Sequence, residues 1–162
     1  MRSSEQKECV VMNNKYYTVC GIVEINGKIL LVRHTYGSAK DRILLPGGYV
    51  QEGELPTRAA EREILEETGV TARAEAIFSV QFKPEQWCVI FLMEYIEGVP
   101  RSDGYENSEV LLVPAEEAVQ RDDITNLSRA VLKAYLGNAN RLKKSGYMRN
   151  GSTSEDYVIF GI

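Results

Sequence analysis

Apolar residues fall along the chain in short clusters separated by polar breaks, and the spacing within each cluster predicts an element. Residues 17–25 and 28–34 are rich in Val, Ile and Leu and read as two strands, and Asn26-Gly27 between them suits a two-residue hairpin turn. Ser38 to Arg42 is a polar loop, and Leu44-Leu45-Pro46-Gly47-Gly48 reads as a short strand running into a glycine turn. Residues 55–67 predict a helix. Pro56 suits its first turn, Gly69 suits the left-handed position past its end, and Ala60 and Ile64 form a buried stripe. Two strands are expected at about 73–82 and 88–96, joined by Lys83-Pro84-Glu85-Gln86-Trp87. After a polar loop from Gly98 to Asn107 come a strand at Glu109 to Val113 and a short helix at Pro114 to Gln120. A helix from Ser128 to Leu136 follows, with Asn126 or Ser128 near its start and Gly137 at its end. Residues 138–154 are polar and read as irregular. Tyr157-Val158-Ile159-Phe160 reads as a late strand, an anchor on the body or a subunit contact. There is no internal repeat and no long linker. Strands, a helix, more strands and a terminal helix predict an α/β sandwich around a mixed sheet.

Composition narrows the class. At 162 residues, 44% apolar and 26% charged, the chain suits one domain with a full core. A net charge of -4 argues against a stable nucleic-acid complex, which needs a basic surface. Cys9, Cys20 and Cys88 lack CxxC spacing and read as reduced thiols. The polar first residues and the lack of a membrane-length apolar run lead to the expectation of a cytoplasmic protein with no membrane partner.

The chemistry concentrates in the predicted helix. Glu63, Glu66 and Glu67 stand at i, i+3 and i+4, on one face. Three like charges there repel, and a divalent cation reverses that sign, because hard cations take carboxylate, water and phosphate oxygens together. A solvated acidic face is the bland alternative, and it leaves the repulsion uncompensated. Gly48, with no side chain, lets its backbone carbonyl approach a metal. Arg62 stands four residues before Glu66, placed to fix a carboxylate's rotamer, and Glu54 is placed either to pair with Arg62 or to hold a metal-bound water.

The stretch Gly48 to Val70 resembles the signature of the Nudix hydrolases, G-x5-E-x7-R-E-U-x-E-E-x-G-U with U aliphatic. Gly48, Glu54, Arg62, Glu63, Ile64, Glu66, Glu67, Gly69 and Val70 fill its nine constrained positions. The resemblance implies a Nudix-type α/β/α sandwich with a central mixed β-sheet and one such domain over residues 1–162, within which the polar composition marks a C-terminal extension at about 138–162. It implies a Mg2+-dependent pyrophosphohydrolase, with Mn2+ as the alternative ion. The substrate would be a small nucleoside diphosphate derivative: a nucleoside triphosphate, ADP-ribose or a nucleotide sugar, cleaved by metal-activated water. It makes Glu63, Glu66 and Glu67 the main metal ligands beside Gly48. The general base differs among family members, either a glutamate of the signature or a later carboxylate. The later candidates here are Asp103, Glu106 and Glu109, with Glu106 preferred and an ordinary loop acid as its plain reading.

Substrate contacts are assigned to Arg33, Trp87 and Asn126, each beside a plainer role. Arg33 and His34 close a strand, where phosphate contact competes with a surface pair. Trp87 and Tyr36 suit base stacking, or the covering of a core or strand edge. Asn126 precedes the last helix, where some family members read the base with an asparagine and where an N-cap explains it equally. Arg141, Lys143, Lys144 and Arg149 form a basic segment that suits a solvated tail, with phosphate contact across a dimer as the alternative. Pro84 lies 14 residues beyond Val70, one short of the spacing of ADP-ribose-type members. The motifs of coenzyme A-type and NADH-type members do not match. A homodimer is expected from the apolar Tyr157 to Phe160. A catalytically silent nucleotide sensor is the alternative function, and isoprenoid isomerisation is disfavoured by a lone histidine, His34, and no evident catalytic cysteine.

Overall fold

The computed structural model describes residues 17–84, 86–138 and 140–143, with single positions 146, 151, 153, 158, 160 and 161. In chain order the elements are β1 (Tyr17–Ile25), β2 (Lys28–His34), a 3-10 turn (Gly37–Ala39), β3 (Ile43–Leu44), β4 (Gly47–Tyr49), α1 (Pro56–Thr68), β5 (Thr71–Lys83), β6 (Gln86–Glu97), β7 (Asn107–Val113), α2 (Ala115–Ala118), α3 (Asn126–Leu136) and β8 (Leu142–Lys143). Asn26 and Gly27, at φ 52° and 77°, make the tight β1–β2 turn.

The sheet is mixed. β6 runs parallel to β1 from Tyr17 to Val23, and every other strand pair is antiparallel. β1 carries β4 and β6, β5 lies beyond β6, and β2 carries β3 and β7. Period-two alternation sorts the side chains into two cores. Val19, Val23, Ile25 and Leu30 meet Ala59, Ala60 and Ile64 of α1. Cys20, Ile22, Ile29 and Leu31 meet Ala118 and Val131, Leu132 of α2 and α3. Helices therefore cover both faces, which is the expected α/β/α sandwich.

Several boundaries differ from the expectations, each for a local reason. Gly47 and Gly48 are strand residues rather than a turn. A Cβ on Gly47 would stand 2.0 Å from the Val19 carbonyl oxygen, so only glycine lets β4 lie so close to β1. β5 and β6 are longer than expected and carry the hairpin out to Lys83 and Gln86, leaving Pro84 in the turn. Register shifts along β5 turn its faces over, so that Ala72 and Ala74 face the α1 core while Phe78 faces the α3 core. The residue before α3 is Thr125, whose hydroxyl donates to Ser128 Oγ at 3.0 Å; Asn126 is the first helical residue.

The segment 144–157 falls largely outside the described residues. Of Tyr157 to Phe160, positions 158 and 160 are described, and the Phe160 ring lies 5.9 Å from Phe91. Among the described residues no helix is long and apolar enough to cross a membrane.

Candidate active site

The acidic face of α1 is aimed by the ends of that helix and by its buried side. Gly69 ends it in the left-handed conformation at φ 70°, with its N–H donating to the Leu65 carbonyl at 2.9 Å. Ala59, Ala60 and Ile64 are fully buried against the sheet. The three glutamates are left in graded surroundings. The Glu67 side chain is 2% exposed, Glu63 13% and Glu66 60%.

Arg62 holds this cluster together. Its Nε and Nη2 donate to the two oxygens of Glu54 at 2.8 and 3.0 Å. Nη1 donates to Glu63 and Glu66 at 2.8 and 3.1 Å, and Nη2 also donates to the Tyr49 carbonyl at 3.0 Å. A guanidinium has five N–H groups, and these contacts use all of them. Arg62 thus has no donor left for phosphate and acts on the neighbouring carboxylates. Glu54 is held by the bidentate pair and by the Gln51 N–H at 3.0 Å, and the guanidinium keeps its carboxyl below the usual carboxylate range.

Glu63 and Glu67 are shifted the other way. Burial pushes the Glu63 carboxyl up, against the pull of Arg62. Burial also pushes Glu67 up, opposed by His34 and by the Gly47 N–H, which donates to Glu67 Oε2 at 2.9 Å. His34 Nε2 stands 3.5 Å from Glu67 Oε1, an electrostatic contact too long for a hydrogen bond. Among the described residues neither atom has a hydrogen-bond partner, although both are buried. Asn107, fully buried at the start of β7, donates from Nδ2 to the Glu67 carbonyl at 2.8 Å. Sequence reasoning missed Asn107, whose only outward signal is a polar residue at the mouth of a strand.

Among the described residues no three His, Cys, Asp or Glu side chains converge as a ready metal cage. The donors nevertheless fit a divalent cation. Glu67 offers a buried carboxylate oxygen that accepts no hydrogen bond from the described residues, and a Cβ on Gly48 would stand 2.5 Å from the Glu63 carboxylate carbon, so the bare backbone and the acid share one space.

A cleft of about 560 Å3 is lined by Gly48, Arg62, Glu63, Glu66 and Glu106 together with His34, Tyr36, Leu45, Leu127 and Ser128. The later acids separate in role. Asp103 Oδ1 accepts from the N–H groups of Tyr105, Glu106 and Asn107 at 2.9, 3.1 and 3.2 Å, and so shapes its own loop. Glu109 is engaged by Arg33 at 2.9 Å. Glu106 remains as the later acid that lines the cleft. Its backbone is fixed there, because its carbonyl accepts from Thr35 N–H at 3.2 Å and Thr35 Oγ1 at 3.1 Å.

The residues assigned to substrate contact lie elsewhere. Arg33 is spent on Glu109, on Asp123 at 3.0 Å and on the Asp41 carbonyl at 2.9 Å. Asn126 is exposed on α3 and is not among the residues lining the cleft, whereas its neighbours Thr125 and Leu127 are. Trp87 lines a separate apolar hollow with Tyr17, Val50 and Pro56 and meets Tyr17 and Phe82 edge-on at 5.6 and 5.3 Å. In the basic segment, Arg141 lies 6.0 Å over the Phe78 ring and Lys143 is in β8; Lys144 and Arg149 lie outside the described residues.

Comparison with known proteins gives a consistent picture. The family profile described as NUDIX domain matches residues 15–135. A curated relative, an ADP-ribose pyrophosphatase of Methanocaldococcus jannaschii, is 34% identical over 86 residues, covering 49% of this chain and 51% of the relative. The chain thus spans about half the length of the curated relative it matches. A NUDIX hydrolase structure from Nitrosomonas europaea superposes with a TM-score of 0.69 at 25% identity, covering 76% of this chain and 71% of that one. A NUDIX-family hydrolase from Clostridium perfringens, at 17% identity and TM-score 0.65, shares the fold over 76% of this chain and 97% of its own.

Proposed function

The chain belongs to the Nudix family, and from that premise we propose that it is a divalent-cation-dependent pyrophosphohydrolase acting on a nucleoside diphosphate linked to another moiety. ADP-ribose is the first substrate to test, because the curated relative is an ADP-ribose pyrophosphatase. The observation that carries the reading is the Arg62 hub, which binds Glu54 and holds Glu63 and Glu66 at the wall of one cleft, one helical turn from the buried Glu67, whose Oε1 has no hydrogen-bond partner among the described residues.

Each residue has a share in the chemistry. Glu63, Glu66, Glu67 and the Gly48 carbonyl would hold Mg2+ or Mn2+, which supplies neutralisation of phosphate charge and a lowered pKa for water. Arg62 and Glu54 orient the glutamates. Glu106 accepts the proton of the attacking water. The oxygen of that water forms a new bond to one phosphorus of the anhydride. The bridging P–O bond breaks, and a nucleoside monophosphate and a phosphorylated remainder separate.

The test is phosphoester release from ADP-ribose, nucleotide sugars, nucleoside triphosphates and dinucleoside polyphosphates, each with Mg2+, with Mn2+ and with chelator. Metal-dependent cleavage of one class is expected. Glu67→Gln should abolish most of it, and Glu106→Gln should lower kcat by about a hundredfold. No cleavage of any substrate with either metal would overturn the reading in favour of a nucleotide sensor. Unchanged turnover in Glu67→Gln would remove that residue from the ligand set.

A further inference from the structure

Two half-exposed aromatic side chains, Tyr36 and Tyr49, line the cleft, and the ring contact that builds a platform is at Tyr36. Tyr36 follows β2, lines the cleft and is 52% exposed. Its ring stacks on that of His34, with centroids 5.3 Å apart and planes within 13°. A ring has two faces, and His34 covers one. The exposure of Tyr36 therefore belongs to its other face and its edges. His34 Nε2 lies 3.5 Å from Glu67 Oε1, so the platform stands beside the acidic helix. Glu106, Glu67 and Glu63 lie near enough that their charges, after burial, push the Tyr36 hydroxyl up. The ring and the carboxylates thus share one end of the cleft. By contrast Trp87, the other exposed aromatic considered for stacking, meets its ring neighbours edge-on and lies in a separate hollow.

We propose that the open face of Tyr36, backed by His34, is the stacking platform for the aromatic base of the substrate, and that it selects nucleoside over base-free diphosphates. This rests on the pyrophosphohydrolase reading for its catalytic consequence but not for the binding itself. Parallel ring stacking is tolerant of base identity, so the platform recognises a nucleobase as a class. Stacking on one aromatic side chain is worth roughly tenfold or more in affinity, which sets the scale of the effect.

The experiment compares binding of AMP and of ribose 5-phosphate, its base-free counterpart, by calorimetry in Mg2+ with the full chain. The wild type is expected to prefer AMP by about tenfold, Tyr36→Ala to lose that preference, and Tyr36→Phe and Tyr36→Trp to keep it. The melting temperature of Tyr36→Ala, measured alongside, is expected to match the wild type because the ring is half exposed. Equal binding of both ligands by the wild type, or an undiminished preference in Tyr36→Ala, would overturn the proposal. The outcomes separate from those for hydrolysis. A Tyr36-dependent preference without turnover of any substrate leaves the platform standing and removes the catalytic reading. Turnover with no such preference does the reverse.

Discussion

At positions 47 and 48 a single added methyl meets two different obstacles. On Gly47 it would stand 2.0 Å from the Val19 carbonyl oxygen and 2.6 Å from Cys20 Cα, both backbone atoms that cannot yield without parting β4 from β1. On Gly48 it would meet the Glu63 carboxylate at 2.5 Å, the far end of a flexible side chain. Gly47→Ala should therefore lower stability by roughly 2–3 kcal/mol, the scale of forced overpacking. Gly48→Ala should cost less stability but displace Glu63, and so lose activity out of proportion to its unfolding free energy. Urea denaturation and turnover of the two variants check this; equal stability losses would show that β4 gives way as easily as a side chain does. The sequence marks Gly48 through the family signature. It carries no comparable mark for Gly47, whose need arises from a strand 27 residues earlier. The same limit hides Asn107, which reaches the Glu67 carbonyl across 40 residues. Arg33 is marked by its place at a strand end and Asn126 by a habit of the family, and neither signal shows that Arg33 pairs with Glu109 and Asp123 or that Asn126 lies off the cleft lining.

The elements themselves follow from local rules where those rules are strong. The β1–β2 hairpin and α1 stand where Asn26-Gly27, Pro56 and Gly69 put them, because turn and cap geometry is decided by a few adjacent residues. The face reversal along β5 was not legible, since a bulge depends on the partner strand. Helix α1 is anchored by Ile64, which is fully buried and lies under Gly21, where a Cβ would stand 2.6 Å from Ile64 Cδ1. Ile64→Ala should cost about 3 kcal/mol and Ile64→Val about 1 kcal/mol in urea denaturation. A loss below 1 kcal/mol for alanine would mean that α1 resettles on the sheet. On the other face, α3 is tied to β1 by the Tyr135 hydroxyl, which donates to Glu24 Oε2 at 2.6 Å. Burial and then that bond to Glu24 push Tyr135 up to about 12, above the usual tyrosine range. A raised pKa in the folded protein favours the protonated phenol. Its contribution is thus fully present below about pH 10, the unfolded value, and is lost as pH rises through about 12. Stability of the wild type relative to Tyr135→Phe should fall across that window, followed by chemical denaturation. A constant difference from pH 9 to 12 would show that the bond does not couple to titration.

The whole molecule is acidic, with 23 Asp and Glu against 19 Lys and Arg, and Glu63, Glu66 and Glu106 line one cleft, with Glu67 buried on the same helix as Glu63 and Glu66. Arg62 donates to Glu63 and Glu66 of the three helix glutamates, and its donors are spent. The metal-free fold therefore carries desolvated carboxylates whose burial already pushes Glu63 and Glu67 up. A cation that binds only the folded chain stabilises it by mass action, by about 2.7 kcal/mol at a hundred times its Kd. For a chain of this length that corresponds to a rise in Tm of roughly 5–10 °C. Thermal melts in chelator and in saturating Mg2+ should show that rise for the wild type, with NaCl at matched ionic strength as the control for screening. Glu67→Gln should behave in the opposite order. Without metal it sheds a buried charge while an amide oxygen still accepts from the Gly47 N–H, so its Tm should equal or exceed that of the wild type. With Mg2+ it should gain little. A crossing of the two curves between chelator and Mg2+ would tie the metal to this carboxylate without any substrate, whereas equal shifts in both proteins would place the cation elsewhere on the surface.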